Sequence, residues 1–168
     1  FFAGRKGISE FHVIATKSYR DVIAALDFLA KPDSGYATLV IDPVTILYDQ
    51  LQESQLVVRT KKAGAKAARN RDPFDADDVD LEMLDWGRIK ARYKALMRRI
   101  TNLPMHVVVT AREKDVTERR GSEMLKVGVR PDAEKGTAYE FDVVLRFVAR
   151  AGKRFAIVEK DRTGTLAL

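Results

Sequence analysis

At 168 residues with 46% hydrophobic content, the chain can build one domain around a real core, and two compact domains would exhaust its apolar supply. Thirty Lys and Arg against twenty-four Asp and Glu give a net charge of +6, which favours an anionic partner such as nucleic acid or nucleotide. The absence of cysteine excludes a disulfide framework and a thiolate metal site, and His12 and His106 alone make a zinc centre improbable.

The chain opens on Phe1-Phe2, with no initiator methionine, and reads as a domain entered partway through, the pair being the tail of a strand. Its start lacks the basic-then-apolar layout of a signal peptide, and no run approaches the roughly 18 apolar residues of a membrane span. A soluble protein of a reducing cytoplasm is expected. Phe11 to Ala15 (FHVIA) reads as a second short strand. Ser18, with Asp21 three residues on, then opens a helix whose apolar face is Val22, Ile23, Leu26 and Leu29. Pro32, Asp33, Ser34 and Gly35 end it.

Residues 37–51, ATLVIDPVTILYDQL, follow. Thr38 to Ile41 show no polar alternation, the pattern of a parallel strand covered on both faces. Ligands of such sheets bind at the carboxyl ends of the strands, where Asp42 stands. Two readings of Asp42 remain open: a ligand for a nucleotide's metal ion, or a cap for the next helix. That helix, with Ile46, Leu47, Leu51 and Leu56, can extend into a basic stretch, Arg59 to Arg71 (RTKKAGAKAARNR). An acidic stretch, Asp72 to Asp85, follows directly. Opposite charge blocks in tandem read as a solvated excursion that neutralises itself. The sharper reading is a basic helix facing nucleic acid phosphates through Arg59, Lys61, Lys62, Lys66, Arg69 and Arg71.

Asp85 reads as the cap of a strongly amphipathic helix in which Trp86, Ile89, Tyr93, Leu96, Met97, Ile100 and Leu103 form a core stripe. Pro104 stops it. Met105 to Val109 is a second continuous apolar strand, and the strand-helix-strand order predicts a right-handed crossover and a parallel sheet. Thr110 and Arg112 would then leave the same sheet edge as Asp42. Residues 113–137 read as a long polar loop carrying Arg119, Arg120, Lys126 and Arg130, and loops of that length are functional or disordered. Residues 142–149 and 154–159 predict an antiparallel pair around Ala151-Gly152 that extends the sheet. In EKDRTG, Lys160 and Arg162 share a face of an extended strand, and such a pair suits a phosphate.

The succession FHVIATKSYRDVIAALDFL, ATLVIDPVTILY, MHVVVTAREK, KGTAYEFDVVLRF and IVEKDRTG resembles the RecA-type ATPase core. It is especially similar to phage-encoded RecA-like nucleotide-binding proteins of single-strand annealing and recombination. The resemblance covers nearly the whole chain apart from a charged insertion at 59–84. It implies an α/β, RecA-like P-loop NTPase fold with a mainly parallel sheet flanked by helices and a C-terminal antiparallel pair. It implies ATP and Mg2+ as cofactors, with Asp42 helping to hold magnesium and Thr110 and Arg112 sensing the γ-phosphate. By the same resemblance the 113–137 segment contacts single-stranded DNA, while Lys160 and Arg162 act across a subunit boundary in a ring or filament. The expected setting is the cytoplasm of a bacterial host, the gene belonging to a phage or prophage.

The departures are specific. A phosphate-binding loop needs glycines, a Lys and a Ser or Thr, and no G-x-x-x-x-G-K-[ST] occurs. Gly152-Lys153 lacks the upstream glycine, and Lys135-Gly136-Thr137 has the residues in the wrong order. In the family that loop precedes the segment matching Phe1, so the chain is expected to lack the first strand and helix and to be inactive as an ATPase alone. The family's water-polarising glutamate has no counterpart in AGRKG, and Pro43 replaces a small hydroxyl residue. The alternative is a non-catalytic nucleic-acid-binding module that uses the basic stretch and the 113–137 segment.

Overall fold

A computed structural model describes residues 11–166. The expected strand tail at Phe1-Phe2 and the AGRKG departure lie outside them. The element order is α1 (Tyr19–Leu29), β1 (Thr38–Ile41), α2 (Val44–Asn70), α3 (Met83–Thr101), β2 (His106–Val109), β3 (Glu113–Arg120), β4 (Glu123–Pro131), a 3-10 turn (Thr137–Glu140), β5 (Val143–Arg150) and β6 (Lys153–Asp161).

The three helices make the core. Leu26 of α1, Val44, Leu47 and Leu51 of α2, and Ile89, Tyr93, Leu96, Met97 and Ile100 of α3 are buried together with Leu103. The expected α3 stripe is thus nearly intact, and Trp86 alone falls outside it, half exposed in the first turn. Asp85 does not stand at the cap position. Glu82 does, and Asp85 three residues on accepts the Glu82 N–H at 3.2 Å, the reciprocal half of a capping box. At α1 the expected start holds, since Ser18 Oγ accepts from Asp21 N–H at 3.3 Å.

β1 and β2 pair in parallel, Thr38 with His106 through Ile41 with Val109. Leu39, Ile41, Val107 and Val109 lie against the helices. The opposite face is open, with Val40 59% and Val108 50% exposed. Burial of β1 on both faces is therefore not what the described residues form. Phe11 to Ala15 pairs with no strand among the described residues and is exposed. Among the described residues the sheet is smaller than expected: its parallel part is β1 and β2 alone, and β5–β6 is a separate antiparallel pair, not an extension of it.

The segment read as a loop at 113–137 is mostly a hairpin. β3 and β4 pair antiparallel from Glu113 with Pro131 to Arg120 with Glu123, with an irregularity after Val116. Its turn falls on Gly121, at φ 65°, where glycine adopts the left-handed backbone without steric cost. Both hairpins are paired internally and make no extended contact with a helix or with β1–β2. The basic stretch continues α2 without a break to Asn70, so it is a helix and not an irregular excursion. Among the described residues no helix is long and apolar enough to cross a membrane.

Candidate functional site

Parallel pairing of β1 and β2 brings two strand ends to one edge. Thr110 N–H donates to Ile41 O at 2.9 Å, and Val44 N–H donates to Thr110 O at 2.8 Å. With its backbone fixed from both sides, Thr110 turns its hydroxyl onto Asp42 Oδ1, to which it donates. The cap of α2 is Pro43, and no side chain caps that terminus. The capping reading of Asp42 is thereby excluded. Its carboxylate is exposed, holds one hydroxyl and has a second oxygen available.

Arg112 is held where β2 passes into β3. Its N–H donates to Thr45 Oγ1 at 3.0 Å, and its carbonyl accepts from Asp132 N–H at 2.6 Å. Thr45 is wholly buried, so its hydroxyl has a structural duty to the segment carrying Arg112. Reading the sequence missed Thr45. The signal was present as one hydroxyl in the apolar first turn VTIL, a turn after Asp42. Asp49, also missed, has its carboxyl pushed above the ordinary range by burial and then by the neighbouring carboxylates Asp132 and Glu53, against Arg112 and Lys114.

Lys160 and Arg162 do not converge on an open point. Lys160 Nζ donates to the carbonyls of Ala138 and Tyr139, each at 3.1 Å, and of Phe141, closing the C-terminus of the 3-10 turn. Loss of hydration, and then the Arg162 guanidinium, hold this ammonium below the ordinary lysine range. Arg162 faces Asp142 at 3.9 Å and is exposed. Lys135-Gly136-Thr137 is a turn whose Gly136 N–H donates to Glu134 Oε2 at 2.7 Å, which leaves that donor unavailable to a phosphate.

The basic residues divide between two elements. On α2, Arg59 pairs with Glu82, whereas Lys61, Lys62, Lys66 and Arg69 are exposed, and Arg71 ends the helix at φ 60°. On the β3–β4 hairpin, Arg120 is exposed, Arg119 Nε donates to Gly121 O at 3.2 Å, and Lys126 pairs with Asp115 at 2.6 Å. Arg130 is half-buried, with one guanidinium nitrogen lacking a partner. Two open grooves of about 320 and 380 Å3 are lined by Lys90, Lys94 and Glu134 and by His106, Phe141 and Asp142 respectively; neither includes Asp42.

Magnesium takes hard oxygen donors, commonly one or two carboxylates together with substrate phosphates. Asp42 and the Thr110 hydroxyl are such donors on one exposed edge, so they fit that ion as part of a nucleotide complex. Among the described residues no group of three or more His, Cys, Asp or Glu could hold a metal by itself.

A mixed α/β domain with a carboxylate and a hydroxyl at the carboxyl ends of adjacent parallel strands has the layout of a nucleotide-binding domain. Residues 1–165 match the family model described as an AAA domain, and the chain belongs to that family of P-loop ATPase-like, nucleotide-binding domains. No curated protein and no solved structure matches it significantly.

Proposed function

We propose that the chain is the body of a RecA-like ATPase of the kind phages encode for recombination or single-strand annealing in the bacterial cytoplasm, acting on single-stranded DNA with ATP and Mg2+. The observation that carries this is the Thr110 hydroxyl on Asp42 across the β1–β2 edge. It supports a reading in which Asp42 holds magnesium and Thr110 orients the carboxylate, while Arg112, fixed through Thr45, lies where charge on a terminal phosphate would be felt. The bound ion would supply charge neutralisation of the phosphates. Assembly into a ring or filament belongs to the same proposal, with Arg162 the freer member of the basic pair. The exposed cations of α2 and of the β3–β4 hairpin are the DNA surface.

Calorimetry with ATP, with and without Mg2+, tests it. Asp42→Ala is expected to remove the magnesium-dependent part of nucleotide binding while leaving the helical circular dichroism unchanged. Equal magnesium-dependent binding by the variant overturns the assignment. Binding to an oligothymidine should weaken with salt by about 0.7 log units per log unit for each phosphate contact. The alternative, a non-catalytic nucleic-acid module, predicts the same salt slope with no response to ATP.

A further inference from the structure

The chain between α2 and α3 lies along α2. Arg71 turns it back through a left-handed backbone, and Asp72 N–H donates to Ala67 O at 3.0 Å. Phe74 then covers Gly64 so closely that a Cβ there would stand 3.2 Å from the ring. At the far end Glu82 pairs with Arg59 and Leu81 packs on the core. Contacts at positions 67, 64 and 59 in turn make residues 72–82 a strap antiparallel to the basic half of the helix.

The strap covers the small side of α2, where Thr60, Ala63, Gly64 and Ala67 are half-buried. Lys61, Lys62, Lys66 and Arg69 flank that side and stay exposed. Asp72, Asp75, Asp77, Asp78 and Asp80 along the strap are exposed too. Among the described residues none of these nine is in an ion pair. Charges of opposite sign on neighbouring segments attract without close pairing, and salt weakens that attraction. Such an arrangement lowers the positive potential over α2 without committing any cation. Between its anchors, the Asp72–Ala67 bond at one end and Leu81 and the Arg59–Glu82 pair at the other, lifting residues 73–80 breaks the Phe74 contact and no close ion pair.

We infer that residues 73–80, anchored at Asp72 and at Leu81-Glu82, form a displaceable acidic strap that competes with nucleic acid phosphates for the basic half of α2. This rests on reading that half of the helix as a DNA surface. Single-stranded DNA binds weakly while the strap is seated and more tightly once it lifts.

Anisotropy of a labelled oligothymidine with the full chain tests it. Replacing Asp72, Asp75, Asp77, Asp78 and Asp80 together by Asn is expected to tighten binding about tenfold at low salt, the gain shrinking as salt rises. Phe74→Ala, which changes no charge, is expected to tighten binding severalfold and to speed amide exchange over 72–82. If the five-Asn variant binds no tighter, or if Phe74→Ala frees those amides without tightening binding, the strap does not compete. Unchanged exchange in Phe74→Ala would show that the ring is not its seat and overturn the inference equally. Replacing Lys61, Lys62, Lys66 and Arg69 by Ala, in the wild-type and five-Asn backgrounds, separates the two claims. No effect in either background removes the DNA reading of α2 itself, whereas weakened binding there with inert strap variants removes only the strap.

Discussion

Asp85 joins the two long helices. It is 4% exposed, and its Oδ1 accepts from Gln55 Nε2 at 2.8 Å while Oδ2 accepts from the Glu82 backbone. Removing one member of a buried polar set leaves the others unsatisfied, so Asp85→Ala should cost about 3 kcal/mol, measured by denaturant unfolding. Gln55 would be stranded, and Arg59 would lose its second acid at 3.9 Å. Two other carboxyls have opposite signs. Burial alone would raise Glu134, but the Gly136 N–H and Lys90 hold it below the ordinary carboxylate range. Its contribution is therefore present above the unfolded value and lost as pH falls through the folded one. Asp49 is raised instead, so its ionised form costs stability at neutral pH and that cost disappears in acid, below the unfolded-state value, where the carboxyl is protonated in both states. Asp49→Asn is expected to stabilise the chain at pH 7 and to have no effect in acid. A gain that persisted below pH 3 would point to packing rather than charge.

Among the elements, α3 was legible because its stripe repeats at helical spacing and nothing in the sequence competes with it. The basic half of α2 was harder. Its charge run obscured its helix propensity, although Ala63, Ala65, Ala67 and Ala68 are strong helix formers. The β3–β4 hairpin reads as a loop in the sequence because most of its residues are exposed, and only Glu113 to Val116 show the alternation that marks a half-buried strand. Asp42 and Thr110 on one edge followed from where two apolar runs end, but only the observed cap, Pro43, could set aside the capping reading of Asp42. The fate of Lys160 could not be read at all, because its partners are backbone carbonyls, which leave no mark in a sequence. At the β5–β6 turn, Ala151 and Gly152 have φ of 49° and 75°. A two-residue turn of that hand favours Asn-Gly or Gly-Gly. Ala151→Gly should relieve about 1 kcal/mol of strain, seen as slower amide exchange across β5 and β6; faster exchange would contradict the turn.

For the whole molecule, one helical core carries a two-stranded parallel edge and two hairpin arms. The arms contribute nothing to the buried cluster: its residues, and the half-buried ones packed on it, come from α1, α2, α3, β1, β2 and the connecting segments. Regions with few buried apolar contacts open at lower free energy than the core around them. The chain contains one tryptophan, Trp86, in the first turn of α3. From there its fluorescence follows the unfolding of α3 and not of either arm. A melting curve followed by that fluorescence is expected to show the α3 transition after the hairpins have frayed, so optical and exchange measurements on this protein should report different stabilities and both be correct.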